Sequence, residues 1–300
     1  MSGKSVRIDE FTFIVISYNH AQYIQDHLCS IRDILHNYGN GISVDIVIAD
    51  DCSRDNTREI VDEWLNNNRS LFRSIIRQYA NENRGVVRNL LGAINVVKTR
   101  HFKFLAGDDK YMVEDIFSIF SEVNLSQIIV TPVVPYGGMT NTVEMIRRFR
   151  CLLYSAKKNK VQQLMKYDNY IPAPGVFLDG DLLRDNTLQK YLLRFRNIED
   201  YPMWYYFLYT KMLDVRVVSK PFVFYRVSSG VSTQEKHEKR GMFVSELNRM
   251  EIELHVRRHR RPKYLNIYNY FAKINRIILA SRREKIDSLI GDNEWLSLYK

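Results

Sequence analysis

Two pairs of adjacent carboxylates stand where an α/β chain could do phosphate chemistry. Asp108-Asp109 follows Leu105-Ala106-Gly107 at the end of a short apolar run, 101–105, and precedes a helix-like segment from Tyr111. Asp50-Asp51 closes a second apolar run, Val44 to Ala49. Acidic oxygens at a strand end, after a small flexible pair, suit a hard divalent cation that carries a diphosphate. One Asp-Asp pair alone reads equally well as a turn or a helix cap. Two such pairs in one α/β half point to a site for a metal-bound nucleotide.

Other polar groups fall at comparable places. Ser17-Tyr18-Asn19 closes the first apolar run, where an open α/β sheet presents backbone and side chains to a base or ribose. Alone, the tripeptide is also an ordinary turn. The carboxylates that open Asp50-Asp51-Cys52-Ser53-Arg54-Asp55-Asn56-Thr57 can accept hydrogen bonds from a nucleobase or from ribose hydroxyls. Asn83-Arg84-Gly85, followed by Arg88-Asn89, offers a turn with cations near the expected phosphates. A helix start with exposed arginines is its plain alternative.

These residues need a frame, and the hydrophobic pattern supplies one. Strands are expected at Phe11 to Ile16, Ile42 to Ala49, Leu71 to Tyr79, His101 to Leu105 and Gln127 to Thr131. Between them, helices are expected at Ala21 to Leu35, Thr57 to Leu65 and Val86 to Val97, the second capped by Asp55 or Asn56. This βαβ rhythm implies a mainly parallel, doubly covered sheet that binds ligands outside its carboxyl edge. The rhythm breaks after Pro132. Thr140 to Lys166 reads as a basic helix, Ile171 to Leu178 as extended chain, and Asn197 to Tyr209 as a helix entered through Glu199-Asp200. Val215 to Val227 reads as a strand pair interrupted at Lys220-Pro221. From Ser232 the chain becomes charged, with an amphipathic helix at Tyr264 to Leu279.

Composition narrows the class. The chain of 300 residues is 45% apolar, ample for a sizeable core. Cys29, Cys52 and Cys151 lie far apart without CxxC spacing, against a disulfide framework or zinc site and in keeping with a reducing cytoplasm. The polar start, Met1 to Glu10, has no signal-peptide core, and no window has the apolar length to cross a bilayer. The net charge of +10 is concentrated. Residues 255–285 hold ten Lys or Arg and one acid, and Arg147 to Lys166 holds seven and none. Solvated helix faces explain such runs, and so does a phosphate-rich partner such as an anionic membrane surface or lipid diphosphate.

Taken in order, four segments resemble the family 2 glycosyltransferases of GT-A fold: Ile14 to Asn19, Ile48 to Thr57, Asn83 to Asn89 and Leu105 to Asp109. The likeness covers about residues 11–120 and continues more loosely to about 232. It implies a GT-A catalytic domain over 1–232, with a nucleotide-binding half (1–130) and an acceptor half (131–232). A basic amphipathic helical extension would follow over 233–300. It also implies a nucleotide-diphospho-sugar donor, first of all a UDP-sugar, and a divalent metal, Mn²⁺ or Mg²⁺.

The resemblance assigns roles as well. Asp108 matches the last carboxylate of the family's metal motif, with Asp109 beside it, while Ala106 stands where the first carboxylate would be. Asp50 or Asp51 would contact the base, in a pocket lined by Ser17, Tyr18 and Asn19. Arg84, Arg88 and Gly107 complete the donor site. Arg226, in Tyr225-Arg226-Val227 and the serines after it, would close over the diphosphate; the histidine often found after that arginine is Val227 here. His237 is a substitute ligand or an exposed histidine. Asn197-Ile198-Glu199-Asp200 resembles the acceptor-side acidic pair. A hydroxyl nucleophile needs a base as it attacks the anomeric carbon, so Asp200 is the expected base and Glu199 the alternate. First-turn acids favoured by the helix dipole are the structural alternative.

The expected activity is inverting transfer of a sugar to a hydroxyl of a glycan or lipid-linked glycan in polysaccharide assembly. The expected location is cytoplasmic, or peripheral on the cytoplasmic face of the inner membrane, with 255–285 meeting anionic lipid or a second protomer. A protein that binds nucleotide without turnover is the main rival, because Ala106 has displaced a carboxylate. A nucleotidyltransferase would carry a Gly-rich basic loop where Ser17-Tyr18-Asn19-His20 stands. A basic nucleic-acid-binding protein is the remoter alternative that the charge permits, but no CxxC, RNP-type or helix-turn-helix signature supports it, and nucleic acid is not an expected partner.

Overall fold

A computed structural model describes residues 8–137, 142–165, 169–227 and 245–246, leaving out the side chains of 142–144. Four parallel strands form the first half: β1 (Glu10–Ser17), β2 (Ser43–Asp50), β3 (Ser74–Tyr79) and β4 (Phe102–Ala106), in the order β3-β2-β1-β4. β1 and β2 are buried along nearly their whole length, as strands of a parallel sheet covered on both faces must be. The register explains why the motifs meet. Ser17 lies opposite Asp50, Asp50 opposite Tyr79, and Ile16 opposite Ala106. The acidic pairs therefore leave the sheet at its carboxyl edge on either side of β1.

Helices α1 (Ile24–Tyr38), α2 (Thr57–Asn67) and α3 (Val86–Val96) connect these strands. In α1, Ile24, Leu28, Ile31 and Leu35 form the buried stripe that their spacing requires. It begins three residues later than expected, because the amides of His20 and Ala21 are taken by Thr57 Oγ1 and Asp55 Oδ2. Phe11, Phe13, Phe117 and Phe120 pack edge to face beneath the sheet, with Phe11 centred 4.9 Å from both Phe13 and Phe120. Burying each ring contributes about 1.5–3 kcal/mol.

The second half is less regular. After β5 (Lys110–Tyr111) and α4 (Ile116–Phe120) come β6 (Gln127–Val130) and β7 (Val134–Tyr136). The basic segment folds as α5 (Thr142–Lys157) and α6 (Val161–Leu164), not as one helix. Asn159 ends α5 in the left-handed conformation, φ 51°. Then follow β8 (Val176–Phe177), α7 (Gly180–Leu183), α8 (Asn186–Leu192) and α9 (Asp200–Tyr205), which runs into a π turn at Tyr206–Thr210. β9 (Asp214–Val217) and β10 (Val223–Arg226) close the described chain, except for Ser245 and Glu246.

The fifth strand exists, but β6 heads a separate three-stranded group, antiparallel to β8 and parallel to β9. The expected strand pair across Lys220-Pro221 is two strands that do not pair with each other. β10 runs antiparallel to β5 and parallel to β7, in a third sheet. No helix among the described residues is long and apolar enough to cross a membrane. The serines after Val227, His237, the basic run 255–285 and the amphipathic helix expected at 264–279 lie outside the described residues.

Candidate functional site

At the carboxyl edge, the first acidic pair serves as frame. Asp50 has no solvent exposure. It accepts hydrogen bonds from Ser17 Oγ (2.9 Å), Ser53 N (2.9 Å) and Ser53 Oγ, and pairs with Arg58 Nε at 2.5 Å. One carboxylate thus fastens β1, β2 and the start of α2 together. Asp51 does the same for the next turn. Its two oxygens accept from the amides of Arg84 and Gly85, each at 2.8 Å, just before α3. Gly85 has φ 89°, and a Cβ there would lie 2.5 Å from Arg196 Cγ, so this turn needs glycine. With two bonds against Asp50's four, Asp51 keeps more accepting capacity for a base.

Above this frame sit the groups that face outward. Asn19 is exposed with φ 56°, its amide bonded to Ser53 Oγ and its Oδ1 to Arg54 N, both at 2.8 Å. Tyr18 beside it is half-buried. Arg84 and Arg88 are exposed, and among the described residues neither guanidinium has a protein partner.

The second pair divides its labour. Gly107 N donates to Ile16 O at 2.9 Å, and a Cβ at Gly107 would meet Ile24 Cδ1 at 2.5 Å and His20 Nδ1 at 3.0 Å. A side chain at 107 would have to push the Ile24 methyl and the His20 ring aside. Asp108 then brings Oδ1 to 3.9 Å from His20 Nε2. Burial holds the His20 ring below its ordinary pKa despite Asp108. Asp109 turns inward: its Oδ1 accepts from Arg226 N at 2.8 Å, and its carbonyl accepts from His27 Nδ1 at 2.8 Å. Burial first, and Asp108 second, push the Asp109 carboxyl well above the usual carboxylate range.

Arg226 closes the site from β10. Its Nε donates to Asp108 O at 3.0 Å, and Tyr136 Oη donates to the same carbonyl at 2.9 Å. The guanidinium lies between two rings, 4.1 Å from the centre of Tyr23 and 4.4 Å from that of Tyr136. His20, Tyr23 and Tyr136 were not legible as site residues from the sequence. His20 had a signal, since it directly follows Ser17-Tyr18-Asn19; the tyrosines had none.

At the head of α9, Asp200 accepts from Asn169 Nδ2 at 2.7 Å and from Tyr201 N at 2.6 Å. Burial raises its pKa, and burial together with Asp200 pushes Glu199 up to about 8. Burial first, and after it the charges of Asp109, Asp108, Asp200 and Glu199, push the Tyr225 phenol up to about 12. The Arg196–Asn197 turn that leads to Glu199 is held from elsewhere. Glu246 accepts both its amides, at 3.0 and 2.9 Å, and Arg196 Nη2 donates to Asn83 O at 2.8 Å.

A divalent cation fits here only if the ligand helps to hold it. Among the described residues no group of three His, Cys, Asp or Glu is placed to bind a metal. Asp108 with His20 Nε2 beside it offers two suitable donors, while Asp109 is buried, engaged by Arg226 and disfavoured as an anion. Oxygens of a bound diphosphate would complete such a shell.

Residues 12–179 match the family model described as Glycosyl transferase family 2. The chain belongs to that family. Its fold also matches solved structures of S. aureus TarS. The TarS 1–349 complex with UDP-GlcNAc is 18% identical over 74% of this chain and 59% of that one, with a TM-score of 0.51. The UDP complex of the same fragment is 18% identical over 80% and 71%, with a TM-score of 0.51. A longer TarS chain is 20% identical over 80% and 43%, with a TM-score of 0.52. This chain therefore spans less than two thirds of the first of these relatives, and the likeness shows a shared GT-A fold. No curated protein matches the sequence.

Within this glycosyltransferase family member, the residues expected to bind donor arrive at one edge from four segments. Ser17, Tyr18 and Asn19 follow β1, Asp50 and Asp51 end β2, Arg84 and Arg88 flank the start of α3, and Gly107, Asp108 and Asp109 follow β4. Arg226 joins them from β10, and Glu199 and Asp200 stand at the head of α9.

Proposed function

We propose that this protein transfers a sugar from a nucleotide-diphospho-sugar to a hydroxyl of a glycan acceptor, lipid-linked or free, with inversion. The observation that carries the reading is that Ser17, Asp50, Asp51, Gly107 and Asp108 meet at the carboxyl edge of one parallel sheet, in a chain that matches Glycosyl transferase family 2. UDP and UDP-GlcNAc bound to S. aureus TarS make a UDP-sugar the first donor to test. The catalytic unit is residues 1–232, its donor half 1–130 and its acceptor half 131–232, with 233–300 an extension.

In this reading Asp51 takes the base, Ser17, Tyr18 and Asn19 line its pocket, and Arg84 and Arg88 offer charge to the phosphates. Asp108, with His20 adjacent, would hold Mn²⁺ or Mg²⁺. Bound there, the cation would draw off negative charge from the departing diphosphate. Arg226 is a positioning residue that sets the Asp108 carbonyl and the Asp109 carboxyl. Asp200 accepts the acceptor hydroxyl's proton as its oxygen bonds to the anomeric carbon. The anomeric carbon–phosphate oxygen bond breaks on the opposite side, releasing the nucleoside diphosphate and inverting the centre.

Calorimetry with UDP, GDP, dTDP and CDP, with and without Mn²⁺, tests the donor site in wild type and Asp108→Ala. One nucleotide binding with metal, and losing that dependence in the variant, is the expected result; no binding by any of them would sink the reading. The displaced carboxylate at Ala106 favours one rival, a nucleotide binder without turnover. Nucleotide affinity with no donor hydrolysis at high enzyme concentration would select it.

A further inference from the structure

In the turn from 106 to 109, position 106 is alanine and Asp109 turns inward to Arg226 N, so Asp108 alone presents a carboxylate to the ligand side. Two carboxylates fix an ion between them by chelation. A single one has to be aimed by the groups that hold it from behind. What stands behind Asp108 therefore belongs to the site.

The Asp108 carbonyl is held at both of its lone pairs. Arg226 Nε donates to it at 3.0 Å and Tyr136 Oη at 2.9 Å. These donors come from neighbouring strands. Tyr136 lies opposite Arg226 in the parallel pairing of β7 with β10, and Val227 N donates to Tyr136 O at 3.0 Å. The phenol ring is also stacked by cations, with the Arg226 guanidinium 4.4 Å and Lys110 Nζ 4.9 Å from its centre. The next residue is fitted to this contact. Gly137 has φ 81°, and a Cβ there would lie 2.6 Å from Arg226 Nη1. A phenylalanine at 136 would keep the ring contacts of this half-buried side chain, so the hydroxyl is the part that serves Asp108.

We propose that Tyr136 is a positioning residue of the donor site: its hydroxyl, with Arg226, sets the main chain of Asp108 so that the one carboxylate meets the cation of a metal–nucleotide. This rests on the transferase reading above. In this role the hydroxyl touches neither the ion nor the nucleotide and acts only through Asp108.

The test is calorimetry with UDP, with and without Mn²⁺, on full-length wild type, Tyr136→Phe, Asp108→Asn and the double variant, each with a thermal melt. Tyr136→Phe is expected to weaken Mn²⁺-dependent UDP binding about tenfold, as loss of an outer partner of a metal ligand does, and to leave metal-free UDP binding unchanged. In the Asp108→Asn background the same change should have no further effect, because the carboxylate it aims is gone. Arg226→Lys keeps a cation between the rings without the planar Nε donor, and it should repeat the pattern whatever the melt of Tyr136→Phe. Unchanged Mn²⁺ dependence in Tyr136→Phe would overturn the proposal. A tenfold loss that persists on top of Asp108→Asn would do the same, since it marks a general loosening of the fold. An equal loss of metal-free UDP binding would also overturn it, by placing the hydroxyl on the nucleotide itself. So would wild-type UDP binding that ignores Mn²⁺. Wild type that binds no UDP at all faults the transferase reading, whereas Mn²⁺-dependent binding that Tyr136→Phe matches faults Tyr136 alone.

Discussion

Asp108 and Asp109 are neighbours in opposite surroundings, and substitution should treat them differently. Asp108 faces His20 at the site, whereas Asp109 is buried against Arg226 N and disfavoured as an anion. Asp108→Asn is expected to lower Mn²⁺-dependent nucleotide affinity by ~10- to 100-fold, as loss of a ligand-shell carboxylate does. Asp109→Asn keeps an acceptor for Arg226 N and should change the same affinity by less than about threefold. Calorimetry on both variants checks the contrast, and equal losses would show that Asp109 also faces the ligand. Asp200→Asn should cut kcat by ~100- to 10,000-fold while UDP affinity holds. In that proposed role Asp200 works ionised, and burial raises its pKa. The rate should therefore climb with pH beyond the ordinary carboxylate range, with an apparent pKa that belongs to the Glu199-Asp200 pair. At this scale the acidic pairs were legible from the sequence, because strand ends are marked by where apolar runs stop. The frame role of Asp50 was not, since its partners Ser17, Ser53 and Arg58 come from separate stretches of chain.

Between elements, the turn at Asn83-Arg84-Gly85 fastens the four-stranded sheet to the turn that leads into α9. Asp51 caps it from β2, and Arg196 reaches it from the turn before Glu199. Glu246 in turn holds the amides of Arg196 and Asn197. Glu246→Ala removes two charge-assisted bonds and should lower stability by about 1–3 kcal/mol. A thermal melt reads that loss. A larger fall in kcat than in UDP affinity would locate it on the acceptor side, and unchanged kcat would show that the turn stands without Glu246. Gly85→Ala meets Arg196 Cγ at 2.5 Å in a left-handed backbone and should cost about 1–3 kcal/mol. Helices and strands to Ala106 matched their pattern because each pairs with its neighbours through short, repeated connections. The partners of β9 and β10 did not, because β6, β5 and β7 lie roughly 90 to 110 residues earlier and periodicity says nothing of non-local pairing. The π turn after α9 likewise had no local signal.

Over the whole molecule, buried ionisable groups set how stability follows pH, and their signs oppose. Burial drops His27 to about 4 from an ordinary 6.5, so the folded state binds fewer protons between those values and stability rises with pH there. Glu199, raised to about 8 by burial and Asp200, has the reverse effect: its contribution is full below the unfolded pKa and is lost as pH climbs through about 8. Lys103 decides the alkaline side. Its ammonium is buried on β4, donates to Val176 O at 2.9 Å and lies 4.5 Å over the Phe177 ring. Burial lowers it from 10.5 to about 7 despite the attraction of Asp109. A lysine with a depressed folded pKa binds fewer protons folded than unfolded between about 7 and 10.5, so its contribution to stability grows with pH across that window. Lys103→Met removes the titration while nearly filling the volume. The difference in unfolding free energy between variant and wild type should be largest near pH 7, favouring the variant, and shrink steadily towards pH 10. Denaturant unfolding at four or five pH values measures that slope. A difference that stays flat would mean that Lys103 titrates at its ordinary value.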